Sequence, residues 1–170
     1  MLPQRTSGGN GREHGINREH KSMDLIRLNE IATILNTGAL NYTVFLKSFD
    51  IPLTRPLPSE VLIRQALGEA ATVGGIEKVQ SASVWPEVQE ALLYAGEPGA
   101  GPSAIMLTSE AFAASMKMLE HTIGELAGTA AEIESFWLRK GHPAYPVFWD
   151  FAFIFKANTR ATILIGSSSD

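Results

Sequence analysis

"VFWDFAFIFKANTRATILIGS", residues 147–167, sets the architecture expected of this chain. Two runs rich in Phe, Ile and Ala flank a short polar segment, Ala157–Thr159, which is the pattern of a β-hairpin. With a three-residue loop, Phe155 faces Ala161, Phe153 faces Ile163 and Phe151 faces Ile165. That face is wholly apolar and is expected on the core. The other face carries Phe148, Asp150, Ala152 and Ile154, with Thr162 and Leu164 opposite. A slip of one residue would exchange every partner, so the faces depend on the loop.

Asp150 interrupts the aromatic run. Buried in such surroundings, a carboxylate requires donors or a cation, and His142, Tyr145, Arg160 and the terminal serines are the nearby candidates. An exposed or backbone-satisfied aspartate at the start of a strand is the simpler expectation. A Ser167–His142–Asp150 triad lacks both a Gly-x-Ser-x-Gly turn and an oxyanion loop.

Upstream, residues 108–141 carry a seam of Phe112, Met116, Leu119, Ile123, Leu126, Ala130, Ile133 and Trp137, spaced alternately by four and three. The spacing predicts one long helix from a cap at Thr108 or Ser109 to Gly141. Glu110 stands near its start and Arg139 and Lys140 at its end, as the helix dipole favours. Packing within the chain is the preferred use of the seam. Self-association through Phe112, Leu119, Ile123 and Leu126 is the alternative, although the flanking positions lack opposite-sign pairs.

Three shorter helices are expected at 24–36, 59–74 and 83–96. Residues 39–49 favour a strand, the three prolines of 50–58 require an extended connector, and Ala104–Leu107 fits a short buried strand. The glycines of 96–103 lack the Gly-Lys-Ser/Thr ending of a phosphate cradle. The sum is an α+β domain over 23–170, with one long amphipathic helix on a small, mostly antiparallel sheet that ends in a hairpin. Residues 1–22 read as a disordered leader, and Met23 as an alternative start.

The 170-residue chain has 45% hydrophobic and 19% charged residues and no cysteine, which excludes disulfides, thiolate metal sites and a cysteine nucleophile. No apolar run approaches the about 18 residues of a membrane span. Of the net charge of −4, the leader carries +2 and the body −6, which disfavours nucleic acid. No cofactor or metal set is evident: His121 and Glu125 share a helix face but lack a third ligand.

The reading is therefore an acidic, cytoplasmic, non-catalytic interaction protein of adaptor or inhibitor type, acting on a protein partner or on itself. Its expected binding residues are Arg139, His142, Tyr145, Trp149 and Asp150, where a cationic end, a proline-rigid turn, aromatics and an acid meet. The alternative is a small enzyme or ligand-binding protein at the same 139–150 junction, with Asp150 or His142 as acid–base group.

Overall fold

The computed structural model describes residues 25–170, so the expected leader and alternative start lie outside the described residues. In chain order the elements are α1 (Leu25–Asn36), β1 (Thr43–Pro52), α2 (Ser59–Leu67), β2 (Thr72–Lys78) and α3 (Ser81–Leu92). There follow α4 (Ala104–Leu107), α5 (Glu110–Thr129), β3 (Glu132–Lys140), β4 (Asp150–Lys156) and β5 (Arg160–Ser169). The strands form one antiparallel sheet in the order β1-β5-β4-β3-β2. The α+β class is as expected.

β4 and β5 occupy the middle of the sheet, and both of their faces are covered. Phe151, Phe153, Phe155 and Leu164 pack with Leu28, Ile31 and Leu35 of α1, Val84 and Val88 of α3, and Phe112, Leu119 and Ile123 of α5. Ala152, Ile154, Ala161, Ile163 and Ile165 pack on the reverse side with Leu62 and Ile63 of α2. Strands buried on both sides lose polar–apolar alternation and read as continuous apolar runs. Gly166 belongs to this packing, because a Cβ there would lie 2.5 Å from the Phe151 ring.

The hairpin is offset by one residue from the sequence expectation. Phe155 pairs with Thr162, Phe153 with Leu164 and Lys156 with Ala161, and the Ala157 N–H donates to the Arg160 carbonyl at 2.9 Å. The turn thus closes around Asn158 and Thr159, two residues where a three-residue loop was expected. Because both faces are apolar, either register buries comparable side chains, and the pattern could not discriminate between them.

The larger correction concerns the long helix. α5 stops at Thr129, Ala130 turns extended (φ −73°, ψ 135°), and the second part of the supposed seam is strand β3. Ile133 and Trp137 are four residues apart, an even number, which keeps them on one face of a strand as readily as on one turn of a helix. What distinguishes the segment is pairing: Glu132–Ser135 lie beside Phe153–Lys156, and on the other side Ile76, Glu77 and Lys78 pair with Phe136, Ser135 and Glu134. Arg139 and Lys140 therefore end a strand. Phe112, Leu119 and Ile123 are buried in the chain's own core and Leu126 packs at its margin, so the helical residues offered for self-association face inward.

Two smaller segments also differ. α2 ends before Gly68 (φ +96°), and the region expected to continue it to Gly74 supplies edge strand β2. Ala104–Leu107 is a helical turn with Ile105 exposed, where a buried strand was expected. The Ser109 hydroxyl caps α5 by accepting from the Phe112 N–H at 3.2 Å.

A charged cluster ties α2 to β2, β3 and β4. Lys156 Nζ reaches Glu134 at 3.0 Å, Glu132 at 3.1 Å and the Ser59 hydroxyl at 2.6 Å, and Lys78 pairs with Glu132. Hydrogen bonds from Lys78 and then Lys156 push the Glu132 carboxyl down to about 2. A depressed carboxylate stabilises the fold above its unfolded value of 4.5, and this contribution is lost as pH falls towards about 2. Lys78→Met removes the leading cause. Its stability deficit in urea titrations should be full at neutral pH and should close as pH falls through that window.

Ile123→Asp places an unpaired carboxylate in the core. It should cost about 4 kcal/mol or more and abolish the cooperative thermal transition.

Candidate functional site

The β3–β4 ladder ends at Ser135–Phe153. Beyond it, the end of β3 and the start of β4 are joined by residues 141–149, and a cavity of about 280 Å³ opens between them. Its walls are Leu138, Arg139, Lys140, Gly141, His142, Tyr145, Pro146 and Asp150.

Each wall is positioned by a local constraint. Gly141 has φ +79°, and a Cβ on it would lie 2.6 Å from the Ala70 carbonyl oxygen and the Ala71 Cα. Only glycine permits this close approach, which fastens the link to the turn between α2 and β2. The Ala144 N–H donates to His142 Nδ1 at 3.1 Å. Nδ1 is thereby the acceptor, leaving the neutral ring's proton on Nε2. At the far end the Val147 N–H donates to the Ser168 carbonyl at 2.8 Å and the Ser168 N–H to the Trp149 carbonyl at 3.0 Å, which joins the link to β5.

Four of the five expected binding residues, Arg139, His142, Tyr145 and Asp150, thus line one cavity. Trp149 lies elsewhere. Its indole donates to the Tyr42 hydroxyl at 3.0 Å and stacks on Phe151, and neighbouring Phe148 packs against Tyr42 and Tyr94. Burial pushes the Tyr42 hydroxyl up to about 12, so it stays protonated. Trp149 anchors the link to the core.

Asp150 is exposed, and its side chain makes no hydrogen bond among the described residues. It acts through its charge. Burial lowers the His142 pKa and Asp150 opposes that shift; on α3, Glu87 is raised by burial first and by Asp150 second. Ser167 pairs across the ladder from Asp150 but is fully buried, and no hydrogen bond joins it to His142 or Asp150 among the described residues. No cluster of potential metal ligands occurs among the described residues.

Trp137 was missed by the sequence reading, which spent it on the helical seam. Its ring lies across Gly74 and Gly75, where a Cβ would meet it at 2.5 Å and 2.1 Å, and it remains 48% exposed. The Arg139 stem lies beside it over Gly74. The Gly-Gly pair was the available signal, since adjacent glycines in a strand mark the close approach of another group. Glu87 belongs to a distant helix and carried no local sign.

No protein-family model, curated protein or solved structure matches this chain.

The opposition of burial and Asp150 at His142 has a measurable consequence. His142 should titrate below its ordinary 6.5 by NMR, and Asp150→Asn should move it lower still, because the charge favouring the imidazolium is gone. An unchanged value in the variant would show that the two side chains do not share the cavity electrostatically.

Proposed function

We propose that the chain is a binding protein that recognises a protein partner through the end of the sheet where β3 and β4 part. The observation that carries this reading is the exposure of large aromatic and apolar groups there: Tyr145 at 81%, Trp137 at 48% and Val147 at 46%. Arg139 links them, since it lies beside Trp137 over Gly74 and also lines the cavity with Tyr145. Exposed Trp and Tyr with an adjacent Arg have the composition of an interface hot spot. Pro143 and Pro146 limit the conformations of the link, so less ordering entropy is lost on contact.

The partner enters against the aromatic strip, with an acidic group near exposed Arg139 and Lys140. The acidic, cysteine-free chain suits a reducing compartment, and the encounter is placed in the cytoplasm. Adaptor and inhibitor roles both fit such a surface. A second reading, a small ligand held in the cavity, is supported by His142 and Asp150 lining the same space.

Photo-crosslinking in the native host separates these readings. A benzophenone side chain at position 145 should give a discrete protein adduct, absent when the probe is placed at Glu120 on the far helix, and lost with Trp137→Ala or Arg139→Glu. The absence of any adduct at 145, together with protection of His142 by a small molecule from the cell extract, would replace the partner reading with the ligand reading.

A further inference from the structure

The sheet has two edges, β1 and β2, and they are treated differently. On β1 the Asn36 side chain clamps the outer backbone: its amide oxygen accepts from the Val44 N–H at 2.7 Å, and its amide nitrogen donates to the Val44 carbonyl at 3.3 Å. A side chain thus occupies a place that a further strand would need.

Among the described residues β2 carries no such clamp over Ile76–Lys78, and the register shifts in its pairing with β3 are confined to Thr72–Gly75. The Val79 N–H donates to the Ile133 carbonyl at 3.0 Å, and the register continues as Lys78 with Glu134, Glu77 with Ser135 and Ile76 with Phe136. Hydrogen-bonded and non-bonded pairs alternate in an antiparallel ladder. The bonded residues are therefore Val79, Glu77 and Gly75, while Ile76 and Lys78 turn their N–H and carbonyl groups to the outer edge. Among the described residues no backbone partner meets them there.

We propose that a second copy of this chain adds antiparallel to this edge about a two-fold axis at Ile76. In that register Ile76 faces its own equivalent and Gly75 faces Glu77 of the second copy, short of the bulge at Gly74. The Trp137 ring lies over Gly74 and Gly75 with the Arg139 stem beside it over Gly74, so each Glu77 carboxylate of the second copy arrives at the Trp137 ring and near an Arg139 guanidinium. Glu77 and Arg139 are both exposed and have no ion-pair partner among the described residues. The two-fold makes the complementary pair twice, as an isologous interface requires.

The edge is short, so the dimer is weak and depends on concentration. It engages Trp137 and Arg139, which the binding role proposed above also uses, so a partner and a second copy would compete there; the dimer does not rest on that role, and sedimentation of the chain alone reads it separately.

Sedimentation equilibrium over a wide concentration series tests the assignment on the full chain. Ile76→Pro deletes an outward N–H that β3 does not use, and Glu77→Arg sets like charges together at an exposed position. The wild type should show a monomer–dimer equilibrium. Each variant should keep its circular-dichroism spectrum and raise the dissociation constant by about tenfold or more. Adding Arg139→Glu to Glu77→Arg should restore association. If Ile76→Pro fails to fold, the charge variant and its swap decide. A wild type that is monomeric throughout, or a dimer indifferent to Glu77→Arg, overturns the proposal.

Discussion

The structure depends on the burial of the β4–β5 hairpin from both sides at once. Phe153, Ile154, Ile163, Leu164 and Ile165 have essentially no exposure. They alternate between the layer of α1, α3 and α5 and the layer of α2. The centre of the sheet is fully buried only with both helical layers in place. Buried aliphatic and aromatic side chains each contribute about 1.5–3 kcal/mol on transfer from water, and none of these residues is spent on the surface. The charged cluster around Lys156 then fixes where α2 docks, because Glu134, itself buried, needs both Lys156 and Ser59.

The candidate site lies where this order runs out. β4 keeps its full ladder with β5 but separates from β3 after Ser135–Phe153, and the connecting link inserts between them. One end of the link is held by Gly141 against Ala70 and Ala71, the other by Trp149 in the core. Between these anchors the exposed groups are presented on a scaffold that is rigid at both ends. Such an arrangement would lower the entropic cost of the recognition proposed for this surface.

The same separation gives Asp150 its character. It is the first residue of β4 and lies at the mouth of the cavity, in water, where its charge influences His142 and Glu87 without a direct bond. An aspartate in an aromatic run is explained by its place at the strand end, and the apolar residues that follow it explain the run.

Much of this was legible in the residues. Contiguous apolar stretches around a short polar loop specify a hairpin, Ser109 and the apolar spacing after it specify α5, and the prolines after Asp50 limit β1. The grouping of Arg139, His142, Tyr145 and Asp150 was legible too, because all four lie within a dozen residues. Three features were decided only in the tertiary structure. The register of β4 on β5 follows from which face meets which helix layer, and two apolar faces leave that choice to packing. The end of α5 at Thr129 follows from pairing with β2 and β4, which a spacing of four residues does not reveal. Trp137 became a surface group because its nearest neighbours are two glycines more than sixty residues away in sequence. Local pattern determines which residues prefer water, whereas contacts distant in the chain decide which of the equally apolar arrangements is built.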